Sequence, residues 1–547
     1  MATFVYYQHS GVTQSVFVAF PAHPSSPSHF LRDPIATVTL RSLSGGRPPL
    51  TKEMKDRNPW TMSLTVVIAV VGVIAVVALV TVTVVQNVPL LQKYKYGIVL
   101  DAGSSHTTVF IYQWPAEKDN DTGRAEQKYA CNVKGPGISS YSGTPWKAGE
   151  SLRACMQEVE ENIPRKRHAE TPLYLGATAG MRLLEKANSS ASEEVFKAVS
   201  ETLLKFPFSY QGARILSGQE EGAFGWVTVN YLDDRLKQGL KTTGALDLGG
   251  ASTQISFVSK MFDGSESPSN SVTFRLYGND YNLYTHSFLC YGKDQALKMA
   301  LAHQTRAGPQ TVLDPCMHPG YSKTEDYSSL YDSPCVSDRK PQGAPARFQH
   351  SGSGNFQQCQ DVVRNLLDSS QCKHSQCSFN GVYQPSLQGM FGAFSAYYYA
   401  MSFLNLTDTS VPLQTVKERL AGFCATPWEQ VQQQNPQIKL KYLFGYCFTG
   451  TYLITLLTEG YNFTAETYSS IRYVHKIKGS EAGWTLGYML NLTNMIPAEA
   501  PDTPPLPYAG YVSIVSVIAV LLFVLLLLAV YSGRRRCSKP PPPPQVI

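Results

Sequence analysis

An α/β protein of two similar halves, set between two membrane-crossing helices, is the fold class that the sequence predicts. Three observations carry that reading. Strand and helix patterns alternate through the middle of the chain, an acidic glycine–serine turn between two strands occurs twice, and a charge-free apolar run lies near each end. The 547 residues are 43% hydrophobic and 16% charged, which suits a folded chain and excludes general disorder. The formal charge of +6 is concentrated at the ends: residues 1–57 hold six Lys/Arg against three acids, and residues 534–547 hold four against none. The body between carries 37 basic and 38 acidic residues, so no nucleic-acid partner is expected.

From the N-terminus, residues 1–61 open with a Ser-, Pro- and His-rich stretch lacking a hydrophobic period, expected as a disordered cytosolic tail. Met62–Val85 is dominated by Val, Ala and Ile within a charge-free run, and its 24 residues reach the ~20 that a spanning helix needs. Arg47, Lys52, Lys55 and Arg57 precede it, whereas only Lys93 and Lys95 follow. At the other end the apolar run Tyr511–Tyr531 is followed by Arg534, Arg535, Arg536 and Lys539, with no Lys or Arg in 496–510. The basic flanks place both termini in the cytosol, the tail 532–547 included, and the segment between the spans outside the plasma membrane.

Cysteine usage agrees. Ten of eleven cysteines fall between Cys131 and Cys447, an even number on the side where thiols pair, so five disulfides are expected; the count leaves their connectivity open. Asn-x-Ser/Thr sequons at Asn120, Asn188, Asn405, Asn462 and Asn491 lie in the same segment and read as glycosylation sites.

Inside that segment Tyr96–Leu100 and Thr108–Trp114 read as strands around a Gly-Ser turn. Gly149–Ile163 reads as a helix, Leu173–Gly176 as a strand and Ser192–Lys205 as an amphipathic helix. Gly244–Leu248 and Thr253–Val258 then repeat the strand–turn–strand pattern. The turns are Asp101-Ala102-Gly103-Ser104-Ser105 and Asp247-Leu248-Gly249-Gly250-Ala251-Ser252. Small residues let backbone N–H groups approach phosphate oxygens, hydroxyls add donors, and the leading Asp can hold the waters of a divalent cation. One such turn is usually an ordinary hairpin. Two matched copies, 146 residues apart in an α/β chain, point to a phosphate site.

At these residues the chain resembles the actin/Hsp70/sugar-kinase superfamily and, within it, the cell-surface branch of the ecto-nucleoside triphosphate diphosphohydrolases, or ecto-apyrases. Five motifs carry the resemblance: Asp101–Thr107 (DAGSSHT), Ala177–Arg182 (ATAGMR), Gly218–Gly225 (GQEEGAFG), Asp247–Gln254 (DLGGASTQ) and Gly483–Leu490 (GWTLGYML). It extends from Lys95 to Pro497 and includes Tyr284–Ala296 and Phe391–Tyr399. The resemblance implies a two-lobed actin/Hsp70-like (ribonuclease H-like) ectodomain with two flanking transmembrane helices. Residues 92–217 plus 475–509 would form one lobe and 218–474 the other. It also implies hydrolysis of extracellular ATP, ADP, UTP and UDP to the monophosphate with Ca²⁺ or Mg²⁺, and is compatible with homo-oligomers.

Residue roles follow from the same resemblance. Glu221 would be the base that activates water, with its neighbour Glu220 the rival carboxylate. Ser104, Ser105, His106, Thr178, Gly250, Ala251 and Ser252 would surround the phosphates. Asp101 and Asp247 would anchor the hydrated metal, Gln254 would help place water or metal, and Trp484 would close the metal side. Tyr399, or next to it Tyr398, would stack on the base, with Lys293 flanking it. The implied disulfides are Cys131–Cys155, Cys290–Cys335, Cys316–Cys359, Cys372–Cys377 and Cys424–Cys447. Two rival functions remain at this level: a phosphotransferase of the same superfamily, and a catalytically silent nucleotide-binding surface receptor.

Overall fold

The structure, a computed structural model, describes residues 66–67, 70–78, 94–115, 124–236, 241–493 and 508–537. The body of the chain falls within one compact unit, Leu91–Thr503. Its first sheet contains β1 (Tyr94–Ala102), β2 (Thr107–Pro115), β3 (Glu126–Asn132), β4 (Pro172–Ala177) and β5 (Ser209–Ile215), in the order β3-β2-β1-β4-β5. β1 runs antiparallel to β2, with Asp101 opposite Thr108, and parallel to β4. Its run Ile98–Leu100 is buried on both faces, as a strand covered on each side requires. Helices Pro145–Asn162 and Ser189–Leu203 pack on one face through Leu152, Met156, Val159, Val195 and Val199.

Both helices begin earlier than their apolar periodicity suggests. Pro145 at the first helical position pre-sets φ there, and the Asn188 side chain accepts from Ala191 N–H at 3.0 Å, capping the second helix.

The second half repeats the first. β6 (Gly244–Leu248), β7 (Ser252–Val258), β8 (Ser271–Leu276) and β9 (Asn279–Leu289) are followed by a small sheet of β10 (Thr311–Asp314), β11 (Ser322–Asp326) and β12 (Arg347–Gly352). β13 (Phe391–Ser395) and β14 (Ile471–Tyr473) then complete a sheet in the order β14-β13-β6-β7-β9-β8. β6 is antiparallel to β7, with Asp247 opposite Gln254, and parallel to β13, which is parallel to β14. The hairpin carrying each acidic turn therefore sits in the same relation to its parallel neighbour in both sheets. All five disulfides implied by the resemblance are formed.

Helices Gly218–Leu232 and Trp484–Leu492 join the two sheets. Phe224, Trp226, Val229, Leu486 and Met489 share one core with Val99, Phe110 and Trp114 of the first sheet and Ala245, Val272 and Leu283 of the second. Each such large apolar side chain contributes about 1.5–3 kcal/mol when fully buried. The helices touch backbone to backbone: a Cβ on Gly487 would lie 2.2 Å from the Phe224 carbonyl oxygen, so only glycine fits there.

Among the described residues no helix is both long and apolar enough to cross a membrane. The final helix, Tyr508–Cys537, is 30 residues long and contains the apolar run expected at 511–531. Most of 62–85, the tail 1–61 and Asn120 lie outside the described residues.

Candidate active site

Residues expected to carry chemistry collect at the carboxyl ends of parallel strands, where open α/β sheets place their ligands. Asp101 lies near the end of β1, Thr178 follows β4, Asp247 lies near the end of β6 and Ser395 ends β13. The turns beside them converge. A Cβ on Gly250 would fall 2.6 Å from Ser104 Oγ, and one on Gly180 would fall 2.7 Å from Ser104 Cα. The DAGSS turn, the ATAG segment and the DLGGAS turn therefore meet at Ser104.

Helical geometry separates the two adjacent glutamates. Ser217 caps helix Gly218–Leu232, and Glu220 at its third position completes a capping box: Glu220 N–H donates to Ser217 Oγ at 3.2 Å, and Ser217 N–H donates to Glu220 Oε2 at 2.9 Å. Arg214 holds the same carboxylate through two bonds, at 2.9 and 3.1 Å. Glu220 is thus occupied with holding the helix start. One residue on, a rotation of about 100° turns Glu221 inward, where it is only 7% exposed.

Inside, Arg182 Nη2 donates to Glu221 Oε2, forming an ion pair with both side chains largely buried. Gln254 Nε2 donates to the same oxygen at 3.0 Å and lies 2.8 Å from both Ser252 Oγ and Ser287 Oγ. Arg182 also donates to these serines, at 3.2 and 3.3 Å. Burial pushes the Glu221 carboxyl up, and the Arg182 guanidinium acts against that rise. Gln254 Oε1 is buried without a hydrogen-bond partner, an acceptor left for something that is not protein. Neither Arg182 nor Ser287 was assigned a role from sequence, although both lie inside the motif segments.

Asp101 and Asp247 share this environment. Burial pushes Asp101 well above the usual carboxylate range, and the charges of Glu221 and Asp247 add to the rise; a hydrogen bond from Trp484 opposes it. Asp247 is pushed up to about 7, by burial first and the Glu221 charge second, against a hydrogen bond with Ser395. Ser395 has a φ of 56°, a left-handed conformation that costs a non-glycine residue ~1–3 kcal/mol and is typical of functional sites. Sequence alone offers no sign of that geometry. Trp484 is buried, with its indole against Gly176.

His106 Nδ1 lies 3.0 Å from Ser105 Oγ, and burial followed by the Lys293 charge lowers its pKa. Lys293 is tied to the second turn: its N–H donates to the Gly249 carbonyl at 2.9 Å, and its ammonium pairs with Asp294. Tyr399 is 54% exposed on helix Ala396–Phe403, and Tyr398 is half-buried beside it. Asn188, Asn405 and Asn462 are exposed, and Asn491 is half-buried in helix Trp484–Leu492.

Together these features define a mixed α/β, two-sheet protein with a buried carboxylate–guanidinium pair and two acidic Gly-Ser turns that converge at Ser104. Residues 87–505 match the GDA1/CD39 (nucleoside phosphatase) family, and the chain belongs to that family. It is 49% identical over 471 residues to mouse ectonucleoside triphosphate diphosphohydrolase 1, covering 83% of this chain and 91% of the relative. Rat ectonucleoside triphosphate diphosphohydrolase 8 is 48% identical over 428 residues, covering 76% and 85%. The fold is similar to a crystal structure of nucleoside triphosphate hydrolases from Neospora caninum, with a TM-score of 0.55 at 18% identity, covering 75% of this chain and 95% of that one.

Proposed function

We propose that this chain hydrolyses the terminal phosphoanhydride of nucleoside tri- and diphosphates, yielding the monophosphate and orthophosphate outside the cell. The observation that carries this reading is Glu221, buried and paired with Arg182 where the two turns meet. A water beside Glu221 attacks the terminal phosphorus and gives a proton to the Glu221 carboxylate. The bond from phosphorus to the bridging oxygen breaks, and its electron pair leaves with the shortened nucleotide. Gln254 Oε1, otherwise unpartnered, accepts from that water and orients it. Ser104, Ser105, His106, Thr178 and the Gly250–Ser252 segment surround the phosphates, with the Lys293 charge nearby. The base stacks on Tyr399, a contact every base can make.

The residues fit a hydrated Ca²⁺ or Mg²⁺. Asp101 Oδ1 has no hydrogen-bond partner, and the Glu221 charge pushes both Asp101 and Asp247 up. Among the described residues no group of three or more His, Cys, Asp or Glu forms a ready-made metal cage. Asp101 and Asp247 would therefore hold the cation through water, beside Trp484. When bound, the cation supplies positive charge against the phosphate oxygens.

Thermal melting tests this fit without reference to activity. Burial and the Glu221 charge push Asp247 up to about 7 in the fold from an ordinary 3.8, so the folded state binds the extra proton between those values. Stability is then fully present below about 3.8 and falls as pH rises through about 7. Adding Ca²⁺ or Mg²⁺ in place of a chelator is expected to raise the Tm at pH 7.5 by several degrees, and by progressively less towards about pH 4. A cation effect that is independent of pH would remove the carboxylates from the metal site.

The topology belongs to the same reading: spans at 62–85 and 511–531, cytosolic tails at 1–61 and 532–547, lobes of 92–217 plus 475–509 and of 218–474, and glycans on the outward sequons. Intact cells expressing the full chain are expected to release phosphate from ATP added to the medium. Activity seen only after permeabilisation would reverse the orientation.

A further inference from the structure

We infer that His475 is a positioning residue for nucleobase recognition, holding the exposed ring of Tyr399 in the orientation on which a base stacks. This inference rests on the nucleotide reading above and adds a residue to it. His475 follows β14 and Tyr399 follows β13, and these two strands are parallel neighbours, so both side chains emerge at the same sheet edge as Asp247. The backbone at His475 is held on both sides: Val474 N–H donates to the Ala393 carbonyl at 2.8 Å, and Ala482 N–H donates to the His475 carbonyl at 3.0 Å.

Three rings meet there. His475 stacks on Tyr398, with centroids 5.2 Å apart and planes 18° apart. It lies 5.4 Å from the Tyr399 ring, tilted by 57°, and His475 Nε2 is 3.1 Å from the Tyr399 hydroxyl. Tyr398 and Tyr399 meet edge to face at 5.6 Å. Tyr399 is thus gripped at its hydroxyl and along one edge while more than half of it stays open to solvent. The Glu481 charge acts on Tyr399, His106 and Asp101 alike, which places this aromatic cluster within electrostatic reach of the phosphate turns.

An exposed tyrosine normally samples several rotamers, and a ligand that stacks on it must immobilise the ring. A ring already hydrogen-bonded in place avoids that loss, so the base binds more tightly with no new contact of its own. Losing one hydrogen bond of ordinary strength corresponds to about a three- to tenfold change in an equilibrium.

The test uses the full-length membrane form and three variants: His475→Ala, His475→Gln and Tyr399→Phe. ATP and UTP are substrates, and ribose 5′-triphosphate, which lacks a base, is measured as a competitor. His475→Ala is expected to raise KM for ATP and UTP about three- to tenfold, with kcat within about twofold. The Ki of ribose 5′-triphosphate should not move. His475→Gln, which keeps a hydrogen-bonding group, should fall between wild type and alanine, and Tyr399→Phe should raise KM as alanine does. An equal loss for ribose 5′-triphosphate, a fall in kcat with every substrate, or an unchanged KM for ATP would each overturn the assignment. If His475→Ala fails to fold, the other two variants read the same bond. A wild-type chain inactive on ATP defeats the nucleotide reading itself; an active wild type with silent variants defeats only this inference.

Discussion

Glu221→Gln is expected to lower turnover of ATP and ADP by about 10²–10⁴-fold, the usual contribution of a general base, with nucleotide affinity kept within a few-fold. The amide has the shape of the carboxylate and still accepts from Arg182 and Gln254, so the network of Ser252 and Ser287 keeps its geometry. Only the ability to take a proton is lost. Single-turnover assays and binding of a non-hydrolysable nucleotide separate the two effects. Glu220→Gln is the matched control: it weakens the capping box and the Arg214 pair, so it should cost ~1 kcal/mol of stability and leave kcat nearly unchanged. Near-normal turnover by Glu221→Gln, or a dead Glu220→Gln, would reverse the assignment.

Removing the guanidinium should have the second largest effect. Burial raises the Glu221 pKa and Arg182 holds it down, so Arg182→Ala lets it climb further. A base that holds its proton to higher pH accepts one over a narrower range. Activity is therefore expected to fall most on the acidic side of the profile and to recover as pH increases. The acidic limb of the pH–rate profile should move to higher pH, because the close opposite charge that favours the carboxylate is gone. Arg182→Lys, which keeps a positive charge, should restore part of the neutral-pH rate. A uniform loss at every pH would mean that Arg182 acts through structure alone. Because its partner is buried, Arg182→Ala should also destabilise the fold by ~3–5 kcal/mol, so thermal melts must accompany the kinetics.

Much of the fold was legible because its signals are local. The strand expected at Gly244–Leu248 has those bounds in the structure, and those at Tyr96–Leu100 and Thr108–Trp114 are longer by only a few residues, since continuous apolar runs and small-residue turns report directly on buried strands. Helix starts were less legible: Pro145 and the Asn188 cap lie outside the apolar periodicity that marked those helices. The candidate site is legible where a motif names a residue type with obvious chemistry, such as Asp101 or Glu221. It is opaque where a role depends on a distant partner. Arg182 sits in plain view in ATAGMR, but its partners are Glu221, 39 residues on, and Ser287, 105 residues on. Tyr399 stands out in the sequence as a candidate base platform, whereas His475, 76 residues away, has no motif to mark it.

Alone, then, the sequence determined the repeated acidic turns, the alternation of strands and helices and the residue types available to meet a phosphate. These follow from backbone sterics and side-chain period, which act over a few residues. Tertiary structure decided which of two adjacent glutamates is buried, which cation opposes that burial, which acceptor is left unpaired and which histidine grips the exposed tyrosine. Each of these depends on desolvation and on partners brought in by other strands and helices, and neither quantity exists until the two sheets close around helices Gly218–Leu232 and Trp484–Leu492.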